Sequence, residues 1–274
     1  MTWLGRTQDV RQKLDLGPAQ SLAAILDLDP DACAVEGTPL PPLWNWAYFL
    51  ARAPTRQIGP DGHPARGGFL PPIDLARRMW AGSRCRFHRP LMIGATAQKT
   101  STITDIREKQ GRAGPMVFVT VHHTITTDLG LAYEEDQDIV YMDIPKAFAV
   151  PEAVRLSEPD WSHPVVLDPV LLFRFSAVTF NSHRIHYDRD YAKSVENYPG
   201  LVVHGPLQAI LGFHYACQEQ PDRQPQAYRF KGVRPLFDFD GAQVAGRRIG
   251  QEATDIFTAT ADGAITMEAQ MTWD

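Results

Sequence analysis

Residues 172–192 read LFRFSAVTFNSHRIHYDRDYA, and this stretch decides how the rest of the chain is interpreted. An apolar run from Phe173 to Phe180 includes β-branched residues and stops at Asn181, which predicts a strand followed by a polar turn. His186 comes after that turn, and acidic residues just beyond Tyr187 predict the first turn of a helix. A tight turn can bring Asn181 and His186, five positions apart, to one bound water molecule.

A second short stretch supplies the other half of a candidate site. Residues 202–206 read VVHGP, and Pro206 predicts a helix that begins at Gly205. The first N–H groups of a helix lack an acceptor within it, and glycine lets a ligand oxygen approach closely. The imidazole of His186 can accept or release a proton near neutral pH. We therefore expect Asn181, His186 and Gly205 to meet around one substrate carbonyl, although turn capping and packing would also explain each residue alone.

The composition is that of an ordinary globular protein, and it excludes several classes. The 274 residues are 44% hydrophobic and 22% charged, with a net charge of −5. No run of Lys and Arg could follow a nucleic-acid backbone, and no stretch approaches the ~20 apolar residues of a membrane span. The three cysteines are too widely spaced for a disulfide framework or a zinc site. The first residues lack the apolar segment of a signal peptide, so we expect a cytoplasmic protein.

Both halves of the chain read as helices followed by strands with a period of two. In the first half, helices are predicted over Pro18–Leu28 and over the apolar segment Trp44–Leu50, and a long loop over 53–72. Strands follow at Arg84–Phe87, Ala95–Glu108, Met116–Thr126 and Asp138–Tyr141, with a glycine-rich turn at 109–115. In the second half, a helix over Gly205–Cys217 precedes strands at Ala227–Lys231, Leu236–Asp238, Gln243–Arg248, Ala253–Thr260 and Ile265–Trp273.

This repeated order predicts an α+β protein made of two copies of one unit, each a curved antiparallel sheet around a long helix. Residues 1–148 would form the first unit and residues 169–274 the second. Residues 149–168 contain several prolines and no period, so we interpret them as a linker.

Two motifs of the second half resemble a known family. TFNSHRIH at 179–186 and VHGPL at 203–207 resemble the hydratase-2 motif of MaoC-like hotdog hydratases and dehydratases. The variant is similar to the hydroxyacyl-thioester dehydratase type 2 branch, and within it to bacterial itaconyl-CoA and mesaconyl-C4-CoA hydratases. The resemblance covers about residues 40–274, and its shorter motifs in the first half are Pro71–Pro72, Met79–Gly82, Lys109–Arg112 and Asp138–Tyr141.

The resemblance implies a double hotdog fold that adds water to itaconyl-CoA or mesaconyl-C4-CoA, giving citramalyl-CoA, as in itaconate degradation. His186 would be the general base in hydration, and the Gly205 N–H would bind the thioester oxygen. The first unit would be catalytically silent and would shape the substrate pocket. The family's catalytic Asp is Asn181 here. A neutral amide can orient water but cannot take its proton, so acid–base work would fall mostly on His186.

The remaining expectations concern substrate binding. The free carboxylate of a dicarboxylic acyl group needs a cation, and Arg184 is the first choice because it lies within the motif. Arginines 78, 84 and 86 are the alternatives. Further contacts are expected from Trp44, Val203 and His204. We expect no metal and no cofactor, since CoA is part of the substrate, and a homodimer stays open.

Three other functions compete with this one. A (3R)-hydroxyacyl-thioester dehydratase of fatty-acid type would have a wide apolar tunnel without an arginine. A hotdog thioesterase usually activates water with a carboxylate, which Asn181 cannot provide. A non-catalytic hotdog that binds acyl-CoA would explain the replacement of Asp by Asn181, but not the presence of His186 and Gly205.

Overall fold

The protein is described by a computed structural model that covers residues 3–111 and 114–274. It contains two compact units, and both are discontinuous in sequence. This division differs from the predicted boundaries at 148 and 169. A short segment from each half of the chain belongs to the unit formed mainly by the other half. The first unit comprises the described residues of Met1–Met79, Phe87–Asp143 and Phe173–His183. The second comprises Trp80–Arg86, Ile144–Leu172 and Arg184–Asp274.

The strands of the described residues are, in chain order, β1 (Thr7–Lys13), β2 (Pro39–Leu40), β3 (Arg77–Phe87), β4 (Leu91–Met92), β5 (Thr96–Gly111), β6 (Gly114–Thr127), β7 (Gly130–Met142), β8 (Trp161–Val165), β9 (Pro225–Gly232), β10 (Ala242–Ile249), β11 (Ala253–Thr260) and β12 (Ile265–Trp273). The α-helices are α1 (Leu16–Ile25), α2 (Pro30–Cys33), α3 (Pro169–Val178), α4 (Arg189–Ser194) and α5 (Gly205–Glu219). Short 3-10 turns occupy Trp44–Ala47, Thr55–Gln57 and Arg184–His186.

The first unit is built on an antiparallel sheet in the order β1-β5-β6-β7. Alternating apolar residues predicted β5 and β6, and both are confirmed. The predicted short strand at 138–141 is the end of the much longer β7. The turn predicted at 109–115 falls largely in the ends of β5 and β6. Its residues 112 and 113 lie outside the described residues, and residue 112 is also the last residue of the 109–112 motif.

The predicted buried helix over Trp44–Leu50 is wrong. The chain makes only a 3-10 turn there, because Leu43 precedes it at φ 70° and Phe49 follows at φ 53°. Left-handed backbone at a non-glycine residue interrupts any α-helix. The helix of this unit is α1, as predicted from 18–28, and its buried residues are Ala19, Leu22, Ala23 and Ile25.

The second unit contains an antiparallel sheet in which residues 82–86 of β3 pair with β9, followed by β12, β11, β10 and β8. Helix α5 packs against β9, β10, β11 and β12, and it is the long helix that the sequence predicted. The hairpin at Asp262-Gly263 is confirmed between β11 and β12, with Gly263 at φ 86°. The predicted strand at 236–238 forms only an isolated bridge from Phe237 to Val202.

The predicted linker contains a strand. β8 pairs antiparallel with β10, so residues 161–165 belong to the sheet of the second unit. The Trp161 ring lies directly over Gly246, where any Cβ would overlap the indole. The side chain that anchors β8 therefore requires glycine in its partner strand. None of the helices in the described part of the chain has the length and apolar content that crossing a bilayer requires.

The apolar run Phe173–Phe180 lies mostly in helix α3, not in a strand. Leu172, Phe175 and Ser176 are buried at helical spacing in α3, whereas Phe173 and Phe180 are exposed. A short apolar run does not distinguish a strand from a buried helix by periodicity alone. Asn181 therefore follows the C-terminal end of a helix, and this changes how its side chain is positioned.

Candidate functional site

His186 is held in a defined orientation by the second unit. Its side chain is 8% exposed, and its Nδ1 lies 2.7 Å from the carbonyl oxygen of Val202. A carbonyl can only accept, so Nδ1 carries the proton and Nε2 carries the lone pair. The Val202 N–H donates in return to the carbonyl of Ile185 at 2.9 Å. Both bonds fix the ring in the tautomer that a general base needs.

An apolar cluster fixes the backbone on which His186 lies. It joins the 3-10 turn and α4 to the segment that precedes α5. Its buried members are Ile185, Tyr191, Ala192, Tyr198, Val202 and Phe237, with Phe148 packed against them. The position of the imidazole thus rests on packing as well as on hydrogen bonds.

Gly205 is the first residue of α5, as predicted, with Pro206 in the first turn. Its N–H is among the four at a helix N-terminus that have no intrahelical acceptor. The neighbouring His204 is fully buried, and its ring stacks on His186 at 3.7 Å between centroids. The structure therefore brings together His186, His204 and Gly205 within the second unit.

The protein itself does not require glycine at position 205. A Cβ there would meet the Trp80 carbonyl oxygen at 3.8 Å and Met267 Cε at 4.0 Å, which are ordinary contacts. Its φ is not in the left-handed region either. The N–H at this helix start therefore has room beside it, which is compatible with the predicted binding of a ligand oxygen.

Asn181 belongs to the first unit and ends α3 in a Schellman motif. Its N–H donates to the Ser176 carbonyl at 2.8 Å, while Phe180 occupies the left-handed position at φ 50°. That position favours glycine, so Phe180 costs about 1 kcal/mol or more of strain. The Asn181 Oδ1 accepts the His183 N–H at 3.0 Å, which fixes the amide at the start of the following turn.

Arg184 is already engaged by an acid. Its guanidinium donates to Asp188 Oδ2 at 2.8 and 3.0 Å and lies over the Tyr191 ring at 4.1 Å. Asp188 also caps α4 by accepting the Tyr191 N–H. That hydrogen bond and then Arg184 lower the pKa of the Asp188 carboxyl. A role for Arg184 in binding a substrate carboxylate stays a prediction.

The other two predicted substrate contacts are buried. Val203 is 2% exposed, and its N–H donates to the Leu236 carbonyl at 2.8 Å in the second unit. Trp44 belongs to the first unit and is 4% exposed, at the start of its 3-10 turn. Both side chains support their own unit.

A cluster that sequence reasoning missed lies in the first unit. Asp61, His63 and His183 have ligand atoms within 4.8 Å of one another. Asp61 Oδ2 lies 2.9 Å from His63 Nδ1, and the rings of His63 and His183 are 4.1 Å apart. Ser182 also donates to the Gly62 carbonyl. The only sequence signal was the length of the loop at 53–72, because 120 residues separate the two bonded segments.

The surroundings of His63 keep its ring neutral. Burial, together with the charge of Arg78 and the ring of His183, lowers its pKa to about 4, although Asp61 opposes this. In return, the hydrogen bonds and charge of His63 hold the pKa of the Asp61 carboxyl below its ordinary value. The pair is thus a carboxylate bonded to a neutral imidazole at neutral pH.

This neutral histidine predicts a pH-dependent stability. Between its unfolded pKa near 6.5 and its folded pKa of about 4, only the unfolded chain binds the His63 proton, so acidification favours unfolding. On acidification from about pH 7 to about pH 5, the free energy of unfolding should fall by about 2 kcal/mol more in the wild type than in His63→Asn. Urea unfolding at both pH values measures this. His88→Asn, at an exposed histidine of the same unit, is the control, and an unchanged pH dependence in His63→Asn would contradict the assignment.

The comparison with known proteins identifies the family. The model of the family described as hydroxyacyl-thioester dehydratase type 2 matches residues 43–238. The chain belongs to the hydroxyacyl-thioester dehydratase type 2 family. This confirms the family, the hotdog fold class and the hydratase or dehydratase class of enzyme that the motifs at 179–186 and 203–207 indicated.

Relatives of this type 2 family member are similar over nearly their whole length. Mesaconyl-C(4)-CoA hydratase of Chloroflexus aurantiacus is 46% identical over 98% of this chain and 96% of its own length. The mitochondrial hydroxyacyl-thioester dehydratase type 2 of Schizosaccharomyces pombe is 27% identical over 82% of this chain and 83% of its own. The solved MaoC-like dehydratase of Phytophthora capsici shares the fold, with a TM-score of 0.72, 13% identity and coverage of 98% and 96%.

Proposed function

We propose that this protein adds water to the double bond of a short dicarboxylic enoyl-CoA thioester, converting mesaconyl-C4-CoA to citramalyl-CoA. The similarity to mesaconyl-C(4)-CoA hydratase, 46% identity over 98% of the chain, carries this proposal. Itaconyl-CoA is a further substrate in this proposal, but its double bond lies between the β- and γ-carbons. Removal of an α-proton and return of a proton to the γ-carbon would first give the α,β-unsaturated thioester, whose hydration gives the same product. The proposal places this reaction in itaconate degradation and in the cytoplasm, as expected from the sequence. No cofactor is needed, because CoA is part of the substrate.

In the proposed mechanism, His186 acts as the general base. Its Nε2 takes a proton from water, and the hydroxyl oxygen bonds to the β-carbon of the enoyl group. The π electrons move toward the α-carbon and the thioester oxygen, where the Gly205 N–H and the N-terminal end of α5 stabilise the negative charge. Protonation of the α-carbon completes the addition of one water molecule. The reverse sequence is dehydration, with His186 as the acid.

A single residue handles both proton transfers in this scheme. Asn181 would orient the water through its amide, since it has no proton-accepting group at neutral pH. The proton that His186 takes from water is then delivered to the α-carbon. Trp44, Val203 and His204 would support the pocket walls, and the first unit would shape the pocket without contributing a base. A homodimer is compatible with this scheme, but the scheme does not need one.

One relative favours a second candidate function. The similarity to the mitochondrial enzyme of Schizosaccharomyces pombe supports a (3R)-hydroxyacyl-thioester dehydratase of fatty-acid type. In this second candidate function, the protein would use the same chemistry on acyl chains without a second carboxylate. The two candidates differ in the acyl group, so substrate preference separates them.

Incubation with mesaconyl-C4-CoA in ¹⁸O-labelled water, followed by mass spectrometry of the thioesters, tests the reaction. The expected product keeps its CoA, gains one water and carries ¹⁸O on carbon. Release of free CoA would indicate a thioesterase instead. Binding without turnover of mesaconyl-C4-CoA, crotonyl-CoA or longer enoyl-CoA esters would indicate an acyl-CoA-binding protein and contradict the proposal.

A further inference from the structure

A dicarboxylic substrate presents a carboxylate that must be neutralised when it leaves water. In mesaconyl-C4-CoA this carboxylate is attached to the β-carbon, the carbon that receives the hydroxyl group. Arg184, the first choice from the sequence, already has a carboxylate partner in Asp188. The inference that follows rests on the proposed function, and it concerns which residue binds this carboxylate.

Arg78 has an uncommitted charge in the first unit. It is partly buried at the start of β3, where Nη2 donates to the Pro64 carbonyl over a long 3.3 Å and the guanidinium lies beside the Tyr141 hydroxyl. Neither partner carries a charge. No carboxylate of the described residues lies within ion-pair distance of it. Arg66 of the same unit differs, because it donates to the carbonyls of Ile73, Leu75 and Ala76. Arg78 therefore retains donors for an anion.

The Tyr141 hydroxyl provides a second donor next to Arg78. Its side chain is fully buried in an apolar cluster of the first unit. Its hydroxyl lies beside the Arg78 guanidinium, and it makes no well-formed hydrogen bond to any other described residue. β7, which carries Tyr141, is the neighbour of β3 in the sheet. Burial raises the pKa of Tyr141, and the adjacent Arg78 charge opposes that rise. A guanidinium can only donate, so the Tyr141 O–H still lacks an acceptor, and an incoming anion would supply one.

The histidine cluster is also next to Arg78. Pro64, which accepts its hydrogen bond, follows His63 directly, and the Arg78 charge acts on the His63 ring. Asp61, His63 and His183 together have the donor set of a divalent metal site. A metal ion would add two positive charges beside an unpaired guanidinium, whereas an anion would neutralise it. The charge balance favours an anion.

The cluster is fixed to the segment that carries Asn181. The Asn181 Oδ1 accepts the His183 N–H, and Ser182 donates to the Gly62 carbonyl of the loop. The loop beside Arg78 is thus bonded to the turn that follows Asn181, all within the first unit.

We propose that Arg78 and the Tyr141 hydroxyl bind the free carboxylate of a dicarboxylic acyl-CoA, with His63 and His183 forming the adjacent wall. Arg78 offers two parallel N–H donors to the carboxylate, and Tyr141 donates a third hydrogen bond. The site selects against acyl groups without a second carboxylate, because these would leave the guanidinium buried and unpaired.

The test measures binding without turnover, in the His186→Gln background, by isothermal titration. The two ligands are mesaconyl-C4-CoA and 3-methylcrotonyl-CoA, in which a methyl group replaces the carboxylate. Arg78→Gln is expected to raise the Kd of mesaconyl-C4-CoA by about 30-fold or more, and to change the Kd of 3-methylcrotonyl-CoA by less than about threefold. Arg56→Gln, at an exposed arginine of the same unit, should change neither.

Tyr141→Phe is the second variant, because it keeps the ring in the apolar cluster. It should weaken mesaconyl-C4-CoA by about tenfold and leave 3-methylcrotonyl-CoA unchanged. Equal weakening of both ligands by either variant, or no weakening of either ligand, would overturn the site. Because these measurements require no turnover, they are independent of the ¹⁸O experiment. A chain that binds with this selectivity but does not hydrate would contradict only the proposed function.

Discussion

Replacing His186 with glutamine is expected to lower the kcat for hydration of mesaconyl-C4-CoA by about 10³- to 10⁴-fold. General acid–base catalysis by one residue contributes that much when no other group can substitute. Asn181, at the position of the family's carboxylate, has no proton to exchange at neutral pH. The Nδ1–H bond of His186 to the Val202 carbonyl leaves Nε2 as the only ring nitrogen able to accept a proton.

The control for His186 is another histidine of the second unit. His163 pairs with Glu219 at 2.8 Å and stacks on Tyr215, so it has comparable contacts but no proposed role. His163→Gln should keep kcat within about threefold of the wild type. A His186→Gln variant that is folded and retains more than about a tenth of the wild-type kcat would contradict the role of His186 as the sole base.

Replacing Gly205 with alanine is the second change with a large expected effect. The new methyl group meets only ordinary contacts within the protein, at 3.8 and 4.0 Å, so the free energy of unfolding should change by less than about 1 kcal/mol. The methyl would nevertheless occupy space beside the N–H where the thioester oxygen must approach. We expect kcat to fall by about 100-fold, the effect of losing one oxyanion donor.

Gly17 offers a matched control because it also lies in the first turn of a helix. A Cβ at Gly17 meets nothing within 4 Å, so Gly17→Ala should change neither activity nor stability by a measurable amount. Initial rates and thermal unfolding of both variants provide the comparison. Full activity in Gly205→Ala would show that no ligand oxygen approaches this N–H.

The sequence predicted the second unit better than the first. Strict alternation of apolar and polar residues marks β12 as a strand, and Pro206 after Gly205 marks the start of α5. Phe173–Phe180 was misread as a strand because apolar runs of that length fit either structure. The turn at Trp44 depends on the left-handed backbone of Leu43 and Phe49, which no residue type there indicates.

Residues of the candidate site could be predicted from the sequence only where they lie within a short motif. His186 and Gly205 lie in motifs that resemble a family. In the second unit the ring of His186 stacks on His204, which precedes Gly205 at the start of α5. That Asn181, His186 and Gly205 meet around one substrate carbonyl stays a prediction. The Asp61–His63–His183 cluster was missed, because its partners are about 120 residues apart and the loop at 61–63 has no periodic pattern. The engagement of Arg184 was also hidden, since an Arg four residues before an Asp also occurs on exposed helices without consequence.

The most direct test of the proposed hydration of a dicarboxylic thioester is the ratio of two kcat/KM values for the wild-type chain. Initial rates of loss of the enoyl-thioester absorbance are measured for mesaconyl-C4-CoA and for crotonyl-CoA under the same conditions. The proposed function and the Arg78 site predict a ratio of at least about 100 in favour of mesaconyl-C4-CoA. A ratio below one, with faster turnover of crotonyl-CoA or of longer chains, would contradict the dicarboxylic substrate and favour the fatty-acid dehydratase.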